Sequence, residues 1–197
     1  MKFHDINLDD ISVLPFYNKK MAIVNKEDKP VRFQIPKMFM PFGISGFVMG
    51  GTPTKWNIDF SVKDSNFLEF LEGVENKIHR EVQKQSQDIF GKEYSIEEIS
   101  CMFLSNIKRD PTGQWEPKFR VKIAESDHIF NENDLQIDEE FHDKLYEKHS
   151  GVAIVEPTSV YFMQRKLGIT WKVHQLKIYE PQMLKGFAFR NVPEPSV

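Results

Sequence analysis

Alternating apolar and polar runs on both sides of one long helical stripe predict a mainly β domain. The class is an OB-fold, a five-stranded Greek-key barrel, with one long helix inserted mid-barrel. Trp56-Asn57-Ile58-Asp59-Phe60-Ser61-Val62 and Lys118-Phe119-Arg120-Val121-Lys122-Ile123 keep a period of two, as half-buried strands do. Phe67, Leu71, Val74, Ile78 and Val82 recur at helical spacing, with glutamates and lysines between them. Strands and helices do not alternate along the chain, which argues against a doubly wound α/β sheet.

The elements follow in order. Residues 1–20 read as an irregular N-terminal segment. The runs 21–24 and 31–35 are strand-like, and Asn25-Lys26-Glu27-Asp28-Lys29 between them predicts a hairpin turn. Residues 36–47 are apolar and aromatic but broken by glycine and proline, and Gly50-Gly51-Thr52-Pro53 predicts a loop. After the strand at 56–62, Asp64 or Ser65 caps a helix over about 65–90 that Gly91 ends. Strands are expected at 101–107 and 117–123, separated by the turn Arg109-Asp110-Pro111-Thr112-Gly113-Gln114. An acidic insertion at 125–150 holds a short helix at 138–148. Strands at 151–155 and 159–163 precede a last strand from 169 to 179. Its alternation slips by one residue between Val173 and Leu176, the signature of a bulge. The whole chain, 1–197, is read as one domain with a C-terminal tail at 181–197.

A chain of 197 residues with 17 phenylalanines can bury a core without disulfides or metals. The lone Cys101 cannot pair internally. It points to a reducing compartment and is expected to be a buried small hydrophobe. No signal-peptide core opens the chain and no run approaches the roughly 20 apolar residues of a membrane span. The expectation is a soluble, intracellular protein. The net charge is −3, yet residues 125–147 carry nine acidic side chains against one lysine, so the rest of the chain is basic. No glycine-rich phosphate loop is present, and the six histidines and one cysteine fall outside zinc-ligand spacing. Neither a cofactor nor a catalytic group is expected, and Glu139-Glu140 reads as a solvated charged face.

The positive signal is cations alternating with apolar residues. Lys118, Arg120 and Lys122 share one strand face, Lys172 lies on the last strand, and Arg165 and Lys166 sit at a strand end with Tyr161. Trp115 falls in a polar turn, whereas Trp56 and Trp171 share faces with Ile58 and Val173 and are assigned to the core. Cations that neutralise phosphates and rings that stack on bases are the minimum for binding single strands.

Two segments carry a family resemblance. Residues 36–47 with Gly51-Thr52-Pro53-Thr54-Lys55-Trp56-Asn57-Ile58-Asp59-Phe60-Ser61, and later Gly168-Ile169-Thr170-Trp171-Lys172-Val173-His174-Gln175-Leu176-Lys177-Ile178-Tyr179, resemble a single-stranded DNA-binding family of large DNA viruses of eukaryotes. That family is similar to the single-stranded DNA-binding proteins of T-seven-like phages. The resemblance implies an OB-fold that coats single strands in viral replication, recombination or repair inside the host cell. Lys118, Arg120, Lys122, Arg165, Lys166 and Lys172 would meet phosphates, and Trp115, Tyr161 and Phe39 would stack on bases. The phage relatives end in an acidic, aromatic-tipped tail that recruits replication partners. Here the last residues, Lys185-Gly186-Phe187-Ala188-Phe189-Arg190-Asn191-Val192-Pro193-Glu194-Pro195-Ser196-Val197, keep aromatics without the acidic run. This leaves 125–147 as the candidate surface for replication proteins, and homo-oligomerisation stays open. The rival reading is an OB barrel whose groove binds a protein partner in replication or virion assembly.

Overall fold

The computed structural model describes residues 1–48 and 53–181. The expected loop at 50–53 falls largely outside these residues, as does the tail beyond Pro181. Two 3-10 turns, Phe3–Asp5 and Leu8–Asp10, lead into β1 (Ile11–Val13), β2 (Lys20–Asn25), β3 (Phe33–Gln34), β4 (Met38–Met40), β5 (Ile44–Val48) and β6 (Pro53–Ser61). Helices α1 (Ser65–Lys84), α2 (Ser86–Phe90) and α3 (Ile96–Met102) follow. The chain then returns to strands β7 (Ile107–Lys108), β8 (Lys118–Ile123), β9 (His128–Phe130), β10 (Gln136–Ile137), β11 (His149–Met163) and β12 (Lys166–Tyr179). No helix among the described residues is long and apolar enough to cross a membrane.

Five strands close a ring. β4 pairs with β6, β6 with β8, β8 with β12, β12 with β11, and β11 again with β4. All these pairs are antiparallel except β8–β12, which meet in parallel at Lys122 and Lys172. The ring order places the fifth barrel strand between the third and fourth, so the sheet is a closed Greek-key barrel, an OB-fold. Closure forces side chains to alternate between interior and exterior. Ile58 and Phe60, Phe119 and Val121, and Ile169, Trp171 and Val173 are buried inside. Trp171, 1% exposed, meets Phe119 edge-on with centroids 5.0 Å apart, and Phe33 at 6.0 Å. Phe67 of α1 continues the aromatic chain by packing against Phe119 at 5.9 Å. Each such edge-to-face pair adds about 0.5–1.5 kcal/mol beyond area burial.

The inserted helix starts where expected. The Asp64 carboxylate accepts hydrogen bonds from the Asn66 and Phe67 amides. It does not run unbroken to 90: the backbone leaves helical values at Gln85 (φ −104°, ψ 9°), and α2 is a separate turn closed by Gly91 at φ 73°. Residues 101–107 are not a strand. Ser95 and Glu98 form a reciprocal capping box that starts α3, so 101 and 102 belong to a helix; Phe103 makes an isolated bridge to Leu167, and strand pairing resumes at Ile107 and Lys108. Cys101 is exposed at the end of that helix, not buried.

The turn at 25–29 forms, with the Asn25 carboxamide accepting from the Glu27 and Lys29 amides, but the flanking runs do not pair with each other. β2, β3 and β4 instead line up along one edge of β11, at Ser159–Tyr161, Ile154–Val155 and His149–Gly151. A long partner, bulged at Thr158 and facing a second bulge on β12, offers each run its hydrogen bonds. One bulge is the expected one: His174 is the extra residue on β12, since Val155 pairs with Val173 and Ile154 with Gln175.

The acidic insertion contains β9 and β10, but no helix at 138–148. Lys144, Tyr146 and Lys148 all have φ near +60°, which a right-handed helix forbids. Backbone bonds pin this segment: the Ile44 amide donates to the Leu145 carbonyl (2.7 Å), Lys144 N–H to Ile44 O (2.8 Å) and Lys148 N–H to Met40 O (2.9 Å). Gly43 permits the approach, because at φ 62° an added Cβ would lie 2.2 Å from the Leu145 carbonyl oxygen.

Trp171→Ala is expected to cost about 3–5 kcal/mol of stability, the usual result of emptying a large aromatic core site, read by chemical denaturation. His79 is buried against Phe103, and its Nε2 has no partner. Burial pushes the imidazole below its ordinary 6.5, so the unfolded chain takes up this proton first. The stability it contributes is present above about pH 6.5 and falls as pH drops through its lowered value. Burial pushes the nearby Glu75 carboxyl up, which gives the opposite slope above its ordinary 4.5. Comparing His79→Leu with the parent isolates the imidazole: the parent's melting temperature should fall more than the variant's between about pH 7.5 and about pH 5.5.

Candidate nucleic-acid interface

The outward face of β6 and β8 is built by alternation. With Phe119, Val121 and Ile123 inside, Lys118, Arg120 and Lys122 stand in a row outside. They face Ser61, Asp59 and Asn57 of β6 in that order. Lys172 of β12 lies beside Lys122, and Lys55 sits diagonally across on β6. Lys55, Lys122 and Lys172 line a hollow of about 320 Å³ with Trp56, Asp127 and His174. Burial, then repulsion from Lys55 and Lys172, pushes the Lys122 ammonium below the ordinary lysine range. An anion entering the hollow would relieve that repulsion.

At the other end of β8 lies a cleft of about 640 Å³ lined by Phe39, Pro41, Phe42, Lys63, Trp115 and Lys118, among others. Its rings are open to solvent: Trp115 is 70% exposed, Phe42 47% and Phe39 41%. The Lys118 ammonium lies 5.7 Å from the Phe42 ring centroid, within cation–π range. Trp115 is held by the turn before it. The Asp110 carboxylate accepts from the Thr112 hydroxyl (2.5 Å) and from the Gln114 (2.9 Å) and Trp115 (3.2 Å) amides. The Thr112 hydroxyl above all holds the Asp110 carboxyl below its ordinary range.

The residues singled out from sequence therefore separate into groups. Phe39, Trp115 and Lys118 share the cleft, and Lys122 and Lys172 share the lysine hollow. Arg120 lies between them, in a two-pronged ion pair with Asp59. Tyr161, Arg165 and Lys166 belong to the β11–β12 hairpin. Its two-residue turn, Gln164 and Arg165 at φ 49° and 64°, has both residues left-handed as a tight hairpin requires. The half-buried Tyr161 lies over its cross-strand partner Gly168, and burial pushes its phenol up. Lys166 donates to the Cys101 carbonyl (3.2 Å), tying this tip to α3. Sequence reasoning missed Phe42, Lys63 and Lys55. The period-two face shared with Asn57 was the available signal for Lys55, whereas Phe42 reaches the cleft from a turn with no period to read.

The acidic segment adjoins the lysine hollow. Glu125 accepts from the Trp56 indole N–H (3.1 Å), and Phe141 packs edge-on against the same ring at 5.8 Å. Farther along, Asp134 pairs with Lys177 at 2.6 Å. Among the described residues, no group of three or more histidine, cysteine or acidic side chains stands close enough to hold a metal ion.

No curated protein matches the sequence. Among solved structures, the fold is similar to that of the single-stranded DNA-binding protein from bacteriophage Enc34 in complex with ssDNA. The TM-score is 0.51 at 10% identity, covering 90% of this chain and 99% of that one. It is also similar to gp2.5, a single-stranded DNA-binding protein encoded by bacteriophage T7, with a TM-score of 0.49 at 8% identity over 80% of this chain and 91% of that one. At such identity the Enc34 likeness is one of fold, and it agrees with the closed OB ring. At the level of sequence, the model of a family of unknown function, DUF5871, matches residues 52–190, and the chain belongs to that family.

Proposed function

We propose that this chain binds single-stranded DNA with little regard to sequence and does no chemistry of its own. Trp115, Phe39 and Phe42 receive bases in the cleft, Lys118 meets the phosphate beside them, and Lys122, Lys172 and Lys55 meet phosphates farther along. The observation that carries this reading is the cleft itself, where three solvent-open rings and a lysine stand at the head of a cationic strand row. Such rings reward only bases whose faces are free, so single strands are preferred over duplex. OB barrels bind oligonucleotides on the face of their second and third strands, here β6 and β8. The loops joining first to second and fourth to fifth strands also take part. Phe42 lies in the former, and Arg165 and Lys166, with Tyr161 beside them, in the latter, where they would extend the track. The Enc34 protein, which shares the fold, is itself a single-stranded DNA-binding protein in complex with ssDNA. The family resemblance supports a setting in the replication, recombination or repair of a large DNA virus inside its host cell. Segment 125–147 is the proposed docking surface for replication proteins.

Fluorescence titration with oligo-dT at two salt concentrations tests the reading. Binding should weaken with salt at a log–log slope of about −0.7 per neutralised phosphate, and duplex should bind more weakly. Replacing Lys122 or Lys172 by alanine should make the slope shallower. Absence of binding, or a flat salt response, would leave the barrel as a protein-interaction module. Trp115→Ala should cost about 1–3 kcal/mol of binding, while stability shifts by about 0.5 kcal/mol or less. Equal affinity in that variant would move the stacking site elsewhere.

A further inference from the structure

The centre of the proposed DNA face holds a carboxylate, which by itself should repel phosphates. Asp59 is directly opposite Arg120 on neighbouring strands and is only 4% exposed. Arg120 covers it: Nε donates to Oδ1 and Nη2 to Oδ2, both at 2.7 Å. Hydrogen bonds to Asp59 push the guanidinium above its ordinary range. The backbone of Arg120 is fixed as well, since its amide donates to the Asn106 carbonyl and its carbonyl accepts from the Asn106 side chain, both at 2.9 Å.

Two consequences follow. The pair is neutral as a unit, so Arg120 brings less charge to a phosphate than its neighbours Lys118 and Lys122. Its plane is already set, so little side-chain freedom remains to be lost on binding. The Arg120 side chain nonetheless stays 47% exposed, on the same outward row as the cleft lysine and the hollow lysine. A strand running from the aromatic cleft to the lysine hollow must pass over it. Guanidinium planes stack on unpaired bases much as aromatic rings do.

We infer that Arg120 is a base-stacking platform rather than a phosphate contact, and that Asp59 is the positioning residue that holds its plane. The assignment rests on the single-strand reading above. It explains why a costly buried carboxylate lies beneath a face otherwise built to attract phosphates. A buried charge of this kind is tolerated when it is paired, and here the pairing sets an orientation.

The test uses the full chain with oligo-dT and an abasic strand of the same length. Arg120→Lys keeps the charge and loses the plane. Asp59→Asn with Arg120→Gln replaces the ion pair by two neutral amides and leaves no unpaired buried charge. Thermal melting verifies that each variant is folded. Both should bind oligo-dT about fivefold to a hundredfold more weakly, the range for one lost stacking contact, and bind the abasic strand as the parent does. The double variant should keep the parent's salt slope, whereas Lys122→Ala should be shallower by about 0.7. A folded double variant that loses about 0.7 of slope, or weakens equally on both strands, would make Arg120 a phosphate contact and overturn the assignment. Parent-like binding of oligo-dT by Arg120→Lys would overturn it too. A parent that fails to bind oligo-dT at all refutes the single-strand reading itself, and this assignment falls with it.

Discussion

Closure of the sheet where β8 meets β12 is the constraint on which the rest of the molecule depends. The parallel contact of Lys122 with Lys172 joins the two halves of the ring, and on a closed sheet each residue has only an inside and an outside. Trp171 fills the inside with Phe119, and Phe67 carries that packing to the inserted helix. Once Phe119, Val121 and Ile123 are committed to this core, Lys118, Arg120 and Lys122 have no choice of face. The cationic row is thus a by-product of core packing, held as rigidly as the core is. A one-residue slip of register would bury the cations and expose the apolar set, so the aromatic core also protects the register of the outward face.

The electrostatics follow from segregation. A net charge of −3 gives no hint of a face suited to phosphates. The fold separates the charges instead. Nine of the 29 acidic side chains are gathered in 125–147, whose last residues are pinned by backbone bonds to Ile44 and of which Asp127 reaches the lysine hollow, while Asp59 is paired beneath Arg120. Screening limits exposed charges to a reach of about 10 Å at moderate salt, so local arrangement outweighs the total. Lys55, Lys122 and Lys172 show what remains after segregation: three neighbouring cations, of which Lys122 is harder to keep charged, first through burial and then through repulsion from the other two.

Much of the architecture could be read from residue pattern, and the misreadings share a cause. The alternating strands at 56–61 and 118–123, the helix start at Asp64 and the bulge at His174 each announce themselves through periods and caps that depend on near neighbours. The hairpin expected from 21–35 did not form because strand pairing is a competition, and β11, more than a hundred residues away in sequence, offered a better edge to both runs. The apolar run at 101–104 suggested a strand, but the capping box at Ser95 and Glu98 had already committed residues up to Met102 to a helix. At 138–148, helix-forming residues were overridden by left-handed backbone turns that fit the segment against Gly43.

Inside and outside are written in the chain's own pattern: which face of each strand is buried, where the helix begins, and that Trp115 stands apart from Trp56 and Trp171. Period and local hydrogen bonding suffice for this, because the relevant partners lie within a few residues. Which outward residues meet is set by the assembled barrel. Phe42 joins Phe39 and Trp115 because a turn, a strand and a loop converge at one end of the barrel. Lys55 and Lys172 join Lys122 because the ring closes between them. Arg120 is tied to Asp59 because β6 and β8 pair in one register rather than another. Those contacts depend on ring closure and register, which arise from the simultaneous packing of distant segments and leave no local trace in the chain.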